Sequence, residues 1–370
     1  MPRRPAGRRS PFRKFLLAIT LTDGHKGWKS RLRIIKNEAV TTNAAAHSSS
    51  KPASPGKDGS PGSPLITVAI CTRNREHFLR KAVQSVLGQI AGEAEILIID
   101  NASTDTTPEV AARLAADNPC VTVCRENEVG LSAARNTALS KARGKYVLFL
   151  DDDAVADAGW FSAYHRFLSA PPSGRIAVVG GAVLPDYEVW PPKWLAPELE
   201  ELNLGEAVKR ISARDGPWGG NSAYRREVVL QEGMFDTRLG RKGPSLGAHE
   251  ESELNQRLEK AGYEIWWLPP ARIKHFIPAG RVRLQWHLRS QFNQGRSSVI
   301  LRLGSMGGEA PRALFRLGRV LVAPFHIAIC LLAAAVMLPR RQGQTAAAYL
   351  LRAGRIAGIT RESLVCSRRP

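Results

Sequence analysis

Short, continuous apolar runs alternate with longer segments of helical period from Leu65 onward. "LITVAIC" is apolar throughout and ends in the polar turn "TRNRE"; "HFLRKAVQSVLGQ" then carries Phe78, Leu79, Val83, Val86 and Leu87 at helical spacing. "EILIID" predicts a second strand closing on "NASTDTT", with Ser103 or Thr104 as the cap of a helix over "TPEVAARLAAD". "CVTVCREN" predicts a third strand, "GLSAARNTALSKARG" a helix of small residues, and "KYVLFL" a fourth strand. Strands apolar on both faces, each followed by a helix, predict an α/β fold whose mostly parallel central sheet is flanked by helices. Ligands in such folds gather beyond the carboxyl ends of the strands. The polar clusters Thr72–Arg75, Asp100–Asp105 and Asp151–Asp153 each follow a strand and therefore face one crevice.

Beyond Trp160 the pattern loosens. "RIAVVGGAVL" predicts another strand, "WPPKWLAP" a loop, and "GGNSAYRREVVLQEGMFD" a turn, a strand or short helix, and a turn. "HEESELNQRLEKAG" predicts an amphipathic helix with Leu254 and Leu258 inward and acids on its first turn, where the helix dipole favours them. "YEIWWLPPARIKHF" predicts further strands ending near His275. Residues 320–338, "VLVAPFHIAICLLAAAVML", are long enough to cross a bilayer, although Pro324 and His326 interrupt the run. Residues 41–64 form a Ser/Pro/Gly/Ala linker that buries too little to fold. Ahead of it, "FRKFLLAITL" and "WKSRLRIIKN" read either as interfacial amphipathic helices or as a disordered tail. These boundaries divide the chain into a basic tail and linker over 1–64, a domain over 65–285, and a basic helical region over 286–370.

The charge is uneven. The formal net charge is +20, yet residues 1–64 carry 13 Lys/Arg against 3 Asp/Glu, and residues 270–370 carry 17 against 2, leaving an acidic middle. An acidic body between basic flanks fits attraction to an anionic membrane surface, or to nucleic acid through the tails alone. Arginines on both sides of 320–338 disfavour a simple span, which would leave one cluster outside. A re-entrant or interfacial segment, a true span and a buried soluble helix are the three readings. Five scattered cysteines without CxxC spacing suggest buried thiols in a reducing compartment, with Cys120 and Cys124 sharing one strand face. The basic start has only a short apolar stretch and no clear cleavage site, so no secretory signal is expected.

Asp151, Asp152 and Asp153 follow the fourth predicted strand. Carboxylates two apart point the same way, so Asp151 and Asp153 suit one divalent cation, with Asp152 left for a neighbouring hydroxyl. Oxygen ligation with few protein groups suits Mg2+ or Mn2+ shared with a diphosphate. A plain acidic turn capping the next helix is the bland alternative. "DDDAV" also fits the pattern of aspartyl-phosphate phosphatases, with Asp151 as nucleophile, though that motif usually follows a first strand. Glu250 and Glu251 open the later helix, where a carboxylate at the crevice can act as general base or merely sit on an acidic first turn.

"VAICTRNREHFLRKAVQSVLGQ", "EILIIDNASTDTTPEV", "VGLSAARNTALSKARGKYVLFLDDDAV", "GGNSAYRREVV" and "HEESELNQRLEKAGYEIWWLPPARIKH" resemble, in order, the blocks of family 2 glycosyltransferases with the GT-A fold. The resemblance implies a nucleotide-sugar donor (UDP-, GDP- or dTDP-linked), a divalent metal, and displacement with inversion at the anomeric carbon. Thr72 and Asp100 would contact the nucleotide base, with Arg73 and Asn74 lining the same turn. Arg135 would lie by the nucleotide and diphosphate, and Asp152 would approach the ribose. Asp151 and Asp153 would serve the metal, with His275 near it. Glu251 matches the position of the catalytic base, and Glu250 is its fallback. Processive polymer synthases carry QxxRW after the base. Here "QFNQGRSS" has no Trp after Arg296, which points to transfer of a single sugar. The expected acceptor is a glycan or lipid-linked hydroxyl at the cytoplasmic face of a membrane, in cell-surface polysaccharide or glycolipid synthesis, with no nucleic acid involved. The rivals are a phosphatase or phosphotransferase built on Asp151, and a non-catalytic basic protein that binds membrane or nucleic acid.

Overall fold

Each parallel strand pair places one strand-end turn beside the next. In the computed structural model, which describes residues 63–90, 94–339 and 342–365, β1 (Ile66–Thr72) pairs in parallel with β2 (Glu95–Asn101) and with β4 (Tyr146–Leu150), and β2 with β3 (Val121–Glu126). Thr72 stands opposite Asp100, and Asp100 opposite Arg125. The predicted N-terminal helices and linker lie outside the described residues.

Between these strands run α1 (Glu76–Leu87), α2 (Thr107–Asp117) and α3 (Leu131–Lys141). One apolar layer holds Ile66, Val68 and Ile70 against Leu79 and Val83 of α1, Leu114 of α2, and Trp160 and Phe161 of α4 (Trp160–Ser169). The opposite layer holds Ala69, Leu97 and Ile99 against Ala134 and Ala138 of α3. Val228 of α5 (Arg226–Gln231) and Leu254 and Leu258 of α6 (Glu250–Lys260) close that second layer. Helices on both faces explain why the strands are apolar throughout rather than alternating.

Three local expectations change. The segment "RIAVVGGAVL" is two strands, β6 (Ile176–Gly180) and β7 (Val183–Tyr187), in different sheets. A side chain at Gly181 would overlap the Ala271 carbonyl, so the strand breaks where the two sheets press together. Ser103 and Thr104 do not cap α2, whose cap position is Thr106. The Ser103 hydroxyl instead accepts a hydrogen bond from the Asn74 amide, and the Thr104 amide donates to Asn74 Oδ1. Cys120 and Cys124 do not share a face: Cys120 precedes β3 and packs on the first layer, while Cys124 packs on the second. Of the described cysteines only Cys330 is buried; Cys71, Cys120 and Cys124 are half-buried.

The main sheet runs in the order β3-β2-β1-β4-β9-β6-β10-β8, with β8 (Lys209–Ile211), β9 (Asn221–Arg225) and β10 (Glu264–Trp267). β9 is antiparallel to both β4 and β6, and β8 to β10; the other pairs are parallel. A small second sheet, β5-β11-β7, joins β5 (Ala154–Ala156) and β11 (Ile273–Ile277) to β7. Beyond it lie α7 (Leu284–Gly304), α8 (Glu309–Met337) and α9 (Gly343–Val365). The helix α8 begins well before the predicted apolar segment and continues through Pro324. Its exposed Leu321, Phe325 and Leu332 do not fit the reading of a buried soluble helix.

Candidate active site

The end of β4 meets the start of β9, because Leu150 pairs with Asn221. Asp151 therefore emerges against Gly219 and Gly220, and its amide donates to the Gly220 carbonyl at 3.2 Å. A Cβ on Gly220 would overlap the Asp151 carboxylate, and one on Gly219 would overlap the Arg135 guanidinium. Asn221, fully buried, fixes this junction. Its amide donates to the carbonyls of Ala182 and Ala271 at 2.9 and 2.8 Å, and its oxygen accepts from Trp160 Nε1 at 2.8 Å. The glycine pair and asparagine stand in the sequence as "GGN", but their partners lie far away along the chain.

The second sheet supplies the other side. His275 in β11 pairs with Ala154 in β5, which brings its ring to the carboxylate one residue earlier. His275 Nε2 lies 3.0 Å from Asp153 Oδ1, and the Phe276 amide donates to the Asp153 carbonyl at 2.9 Å. Ligand atoms of Asp151, Asp153 and His275 all fall within 4.8 Å of one another. Two carboxylates and an imidazole are hard-to-borderline donors suited to a small divalent ion, and buried His275 Nδ1 has no hydrogen-bond partner. The predicted metal trio is thus brought together. Burial opposes ionisation of Asp153, but the His275 hydrogen bond and the nearby charges of His275 and Arg75 hold it well below the usual carboxylate range. Asp152, beside the Thr72 hydroxyl, is pushed up to about 7 by burial and by the charge of Asp153.

Arg135 is 3% exposed, at the floor of the crevice. Its Nη1 lies 2.9 Å from Glu250 Oε1 and its Nη2 3.8 Å from Asp151 Oδ1, with the rings of Phe149 and Phe235 against the guanidinium. Arg135 therefore joins the acid cluster after β4 to the one that opens α6. Glu250 is committed to this contact, whereas Glu251 Oε2 is buried without a hydrogen-bond partner. Burial, then the charge of Glu250, pushes the Glu251 carboxyl up to about 8.

The remaining expected residues sit at the turns after β1 and β2. Thr72 and Asp100 are buried side by side. Asp100 Oδ2 is held at 2.7 Å by Arg125, whose side chain is half exposed, and Oδ1 accepts from the Ser103 amide. Arg73 Nη1 donates to the carbonyls of Asn101 and Ala102, so Arg73 and Asn74 brace the two turns against each other. Trp190 is almost wholly exposed.

Further charged residues lie around these clusters. Arg75 approaches Asp153 at 3.7 Å. Glu200, fully buried, lies 2.9 Å from Arg281 and 3.6 Å from His287, and Arg281 stacks on Trp286. Burial pushes the Arg281 guanidinium below its ordinary value, the charges of Glu200 and Asp153 work against that shift, and the like charge of Arg241 adds to it. These partners are separated by tens of residues and carry no local motif.

Residues 67–231 match the family model described as Glycosyl transferase family 2. The chain is similar to the glucosyl-dolichyl phosphate glucuronosyltransferase of Haloferax volcanii, 26% identical over 247 residues that span 64% of this chain and 77% of that protein. It is also similar to the succinoglycan biosynthesis protein ExoM of Rhizobium meliloti, 24% identical over 303 residues, 80% of this chain and 92% of that one. In fold it is similar to a mannosyltransferase from Pyrobaculum calidifontis solved in complex with GDP-Man and Mn2+. The TM-score is 0.54 at 21% identity, covering 80% of this chain and 88% of that chain.

Proposed function

We propose that the chain, whose residues 67–231 match the Glycosyl transferase family 2 model, moves one sugar from a nucleotide-sugar donor to a hydroxyl of a glycan or lipid-linked acceptor, with inversion, at the cytoplasmic face of a membrane. The observation that carries this reading is the pair of acid clusters joined beneath the crevice by Arg135. One cluster suits a metal and a diphosphate; the other suits an acceptor hydroxyl.

In this reading Thr72 and Asp100 receive the nucleotide base, with Arg73 and Asn74 shaping the turn around it. Asp152 meets the ribose. Asp151, Asp153 and His275 would hold Mg2+ or Mn2+, and such an ion would supply positive charge for the departing diphosphate. Arg135 sets the direction of Asp151 and Glu250 rather than reaching the donor directly. Glu251 is the base, because its Oε2 is the carboxylate oxygen left without a partner in that cluster. It takes the proton from the acceptor hydroxyl as that oxygen attacks. Support for a lipid-linked or polysaccharide acceptor comes from the names of the two relatives and from the apolar α8.

A thermal-shift panel of UDP-, GDP- and dTDP-sugars, with and without Mn2+, tests the reading. One nucleotide should stabilise the protein in the presence of metal, and Asp153→Ala should abolish that response. A folded sample with no nucleotide response would refute it.

A further inference from the structure

We propose that α8 lies in the plane of an anionic lipid leaflet, with α9 between it and the water-facing domain, and does not cross the bilayer. This deepens the membrane part of the proposed function and rests on it. Among the described residues α8 is the one helix long and apolar enough to span, with a mean hydropathy of 2.5 in an 18-residue window that is 17% buried. Leu314, Leu321, Phe325 and Leu332 are all more than 60% exposed. An apolar surface this long on a water-soluble protein marks a contact with lipid or protein.

The side of α8 that is covered decides how it meets lipid. Ala323, Ile327 and Cys330 pack against Tyr349, Ala353 and Ile356 of α9. α8 ends at Met337 and α9 begins at Gly343, so α9 folds back along it. Arg352 of α9 lies within electrostatic reach of Cys330, at the middle of the 320–338 run, and Arg355 follows one turn later. A perpendicular α8 would carry both guanidinium groups to the depth of the acyl chains, where charged side chains are costly. With α8 lying flat, they remain at headgroup level. α9 is tied in turn to α7 by Arg296 and Glu362 at 2.8 Å.

Charge complementarity names the occupant. Arg312, Arg316 and Arg319 lie on the first half of α8, and Arg340 and Arg341 follow its end. In a flat helix both groups meet the same anionic leaflet; in a span they meet opposite ones. Trp190 is 93% exposed on the loop whose Trp194 abuts Gly343, at the turn between α8 and α9. An exposed Trp at that end suits the headgroup layer. Trp190 follows Pro185, the partner of His275, by five residues, so about 17 Å of chain at most separates it from the strand beside the crevice.

The test uses the full chain with its five native cysteines replaced, carrying Ser305→Cys or Gln342→Cys at either end of α8. Membranes from the producing cells are labelled with an impermeant maleimide. Both positions should react in inverted vesicles and neither in sealed right-side-out ones. Reaction of one position in each orientation would establish a span and overturn the proposal. Reaction of Gln342→Cys only after detergent would establish a re-entrant segment and overturn it as well. Should the cysteine replacements unfold the chain, flotation of the native protein on vesicles of phosphatidylethanolamine and phosphatidylglycerol gives a second reading. Phe325→Asp and Leu332→Asp should weaken that binding at least about tenfold. Unchanged flotation, or a soluble dimer that covers α8, would overturn the proposal. Sugar transfer to a water-soluble acceptor, measured on the same samples, reports on the catalytic reading separately.

Discussion

Arg135 and Glu250 form an ion pair at 2.9 Å with side chains 4% and 7% exposed. Nothing in the local sequence around either residue announces the other. Removing one partner leaves the other charge buried and uncompensated, so Arg135→Ala should cost about 3–5 kcal/mol of stability. Urea unfolding monitored by circular dichroism checks this. Glu250→Gln keeps one hydrogen-bond acceptor and should cost less than Arg135→Ala.

Gly220→Ala tests the junction of β4 and β9. The added methyl meets the Asp151 carboxylate, which must turn away from Asp153 and His275. The core is untouched, so the melting temperature without metal should change little. Mn2+ affinity, read by calorimetry in the presence of the responding nucleotide, should weaken by about 10–100-fold, as expected when the support of a ligand is disturbed.

The pH profile reports on Glu251. Its carboxyl is raised to about 8 in the folded chain, so it is protonated below that pH and able to accept a proton above it. The kcat/KM of the free enzyme should therefore climb as pH rises through about 8. Glu251→Gln should remove this limb and lower the rate by about 10²–10⁴-fold. Linkage gives an independent check. An unfolded Glu ionises near its ordinary value of 4.5, so native stability attributable to this group falls as pH rises from there to about 8. The glutamine variant should lack that decline.

His287 titrates in the opposite sense. Burial, then the charge of Arg281, pushes it down to about 4 from its ordinary value of 6.5. The unfolded chain takes up the proton first, so stability from this site is complete above about 6.5 and is lost as pH falls toward 4. His287→Leu should flatten the melting-temperature profile in that window.

The parallel half of the fold is legible because its strands are buried on both faces, and "YVLFL" or "EILIID" permits little else. The three strand-end clusters follow from that order, and with them the positions of Thr72, Asp100 and Asp151–Asp153. The break at Gly181 is hidden, since an apolar run reads the same whether it continues or crosses to a second sheet. Glycines at 219 and 220 are visible as letters, but their purpose depends on Arg135 and Asp151 across the sheet. The buried contacts of Glu200 with Arg281 and His287 join residues 81 or more positions apart, which no periodicity encodes.

The pairing of β11 with β5 has a consequence for how the chain matures. Asp151 and Asp153 follow β4 directly in the chain, but His275 arrives only when a strand about 120 residues later docks against β5. Until that distant closure, the chain holds an open acidic turn rather than a three-donor grip. A divalent ion drawn to the complete grip and not to the open turn would favour the finished chain by mass action. Metal retention would then report that synthesis and folding have reached β11.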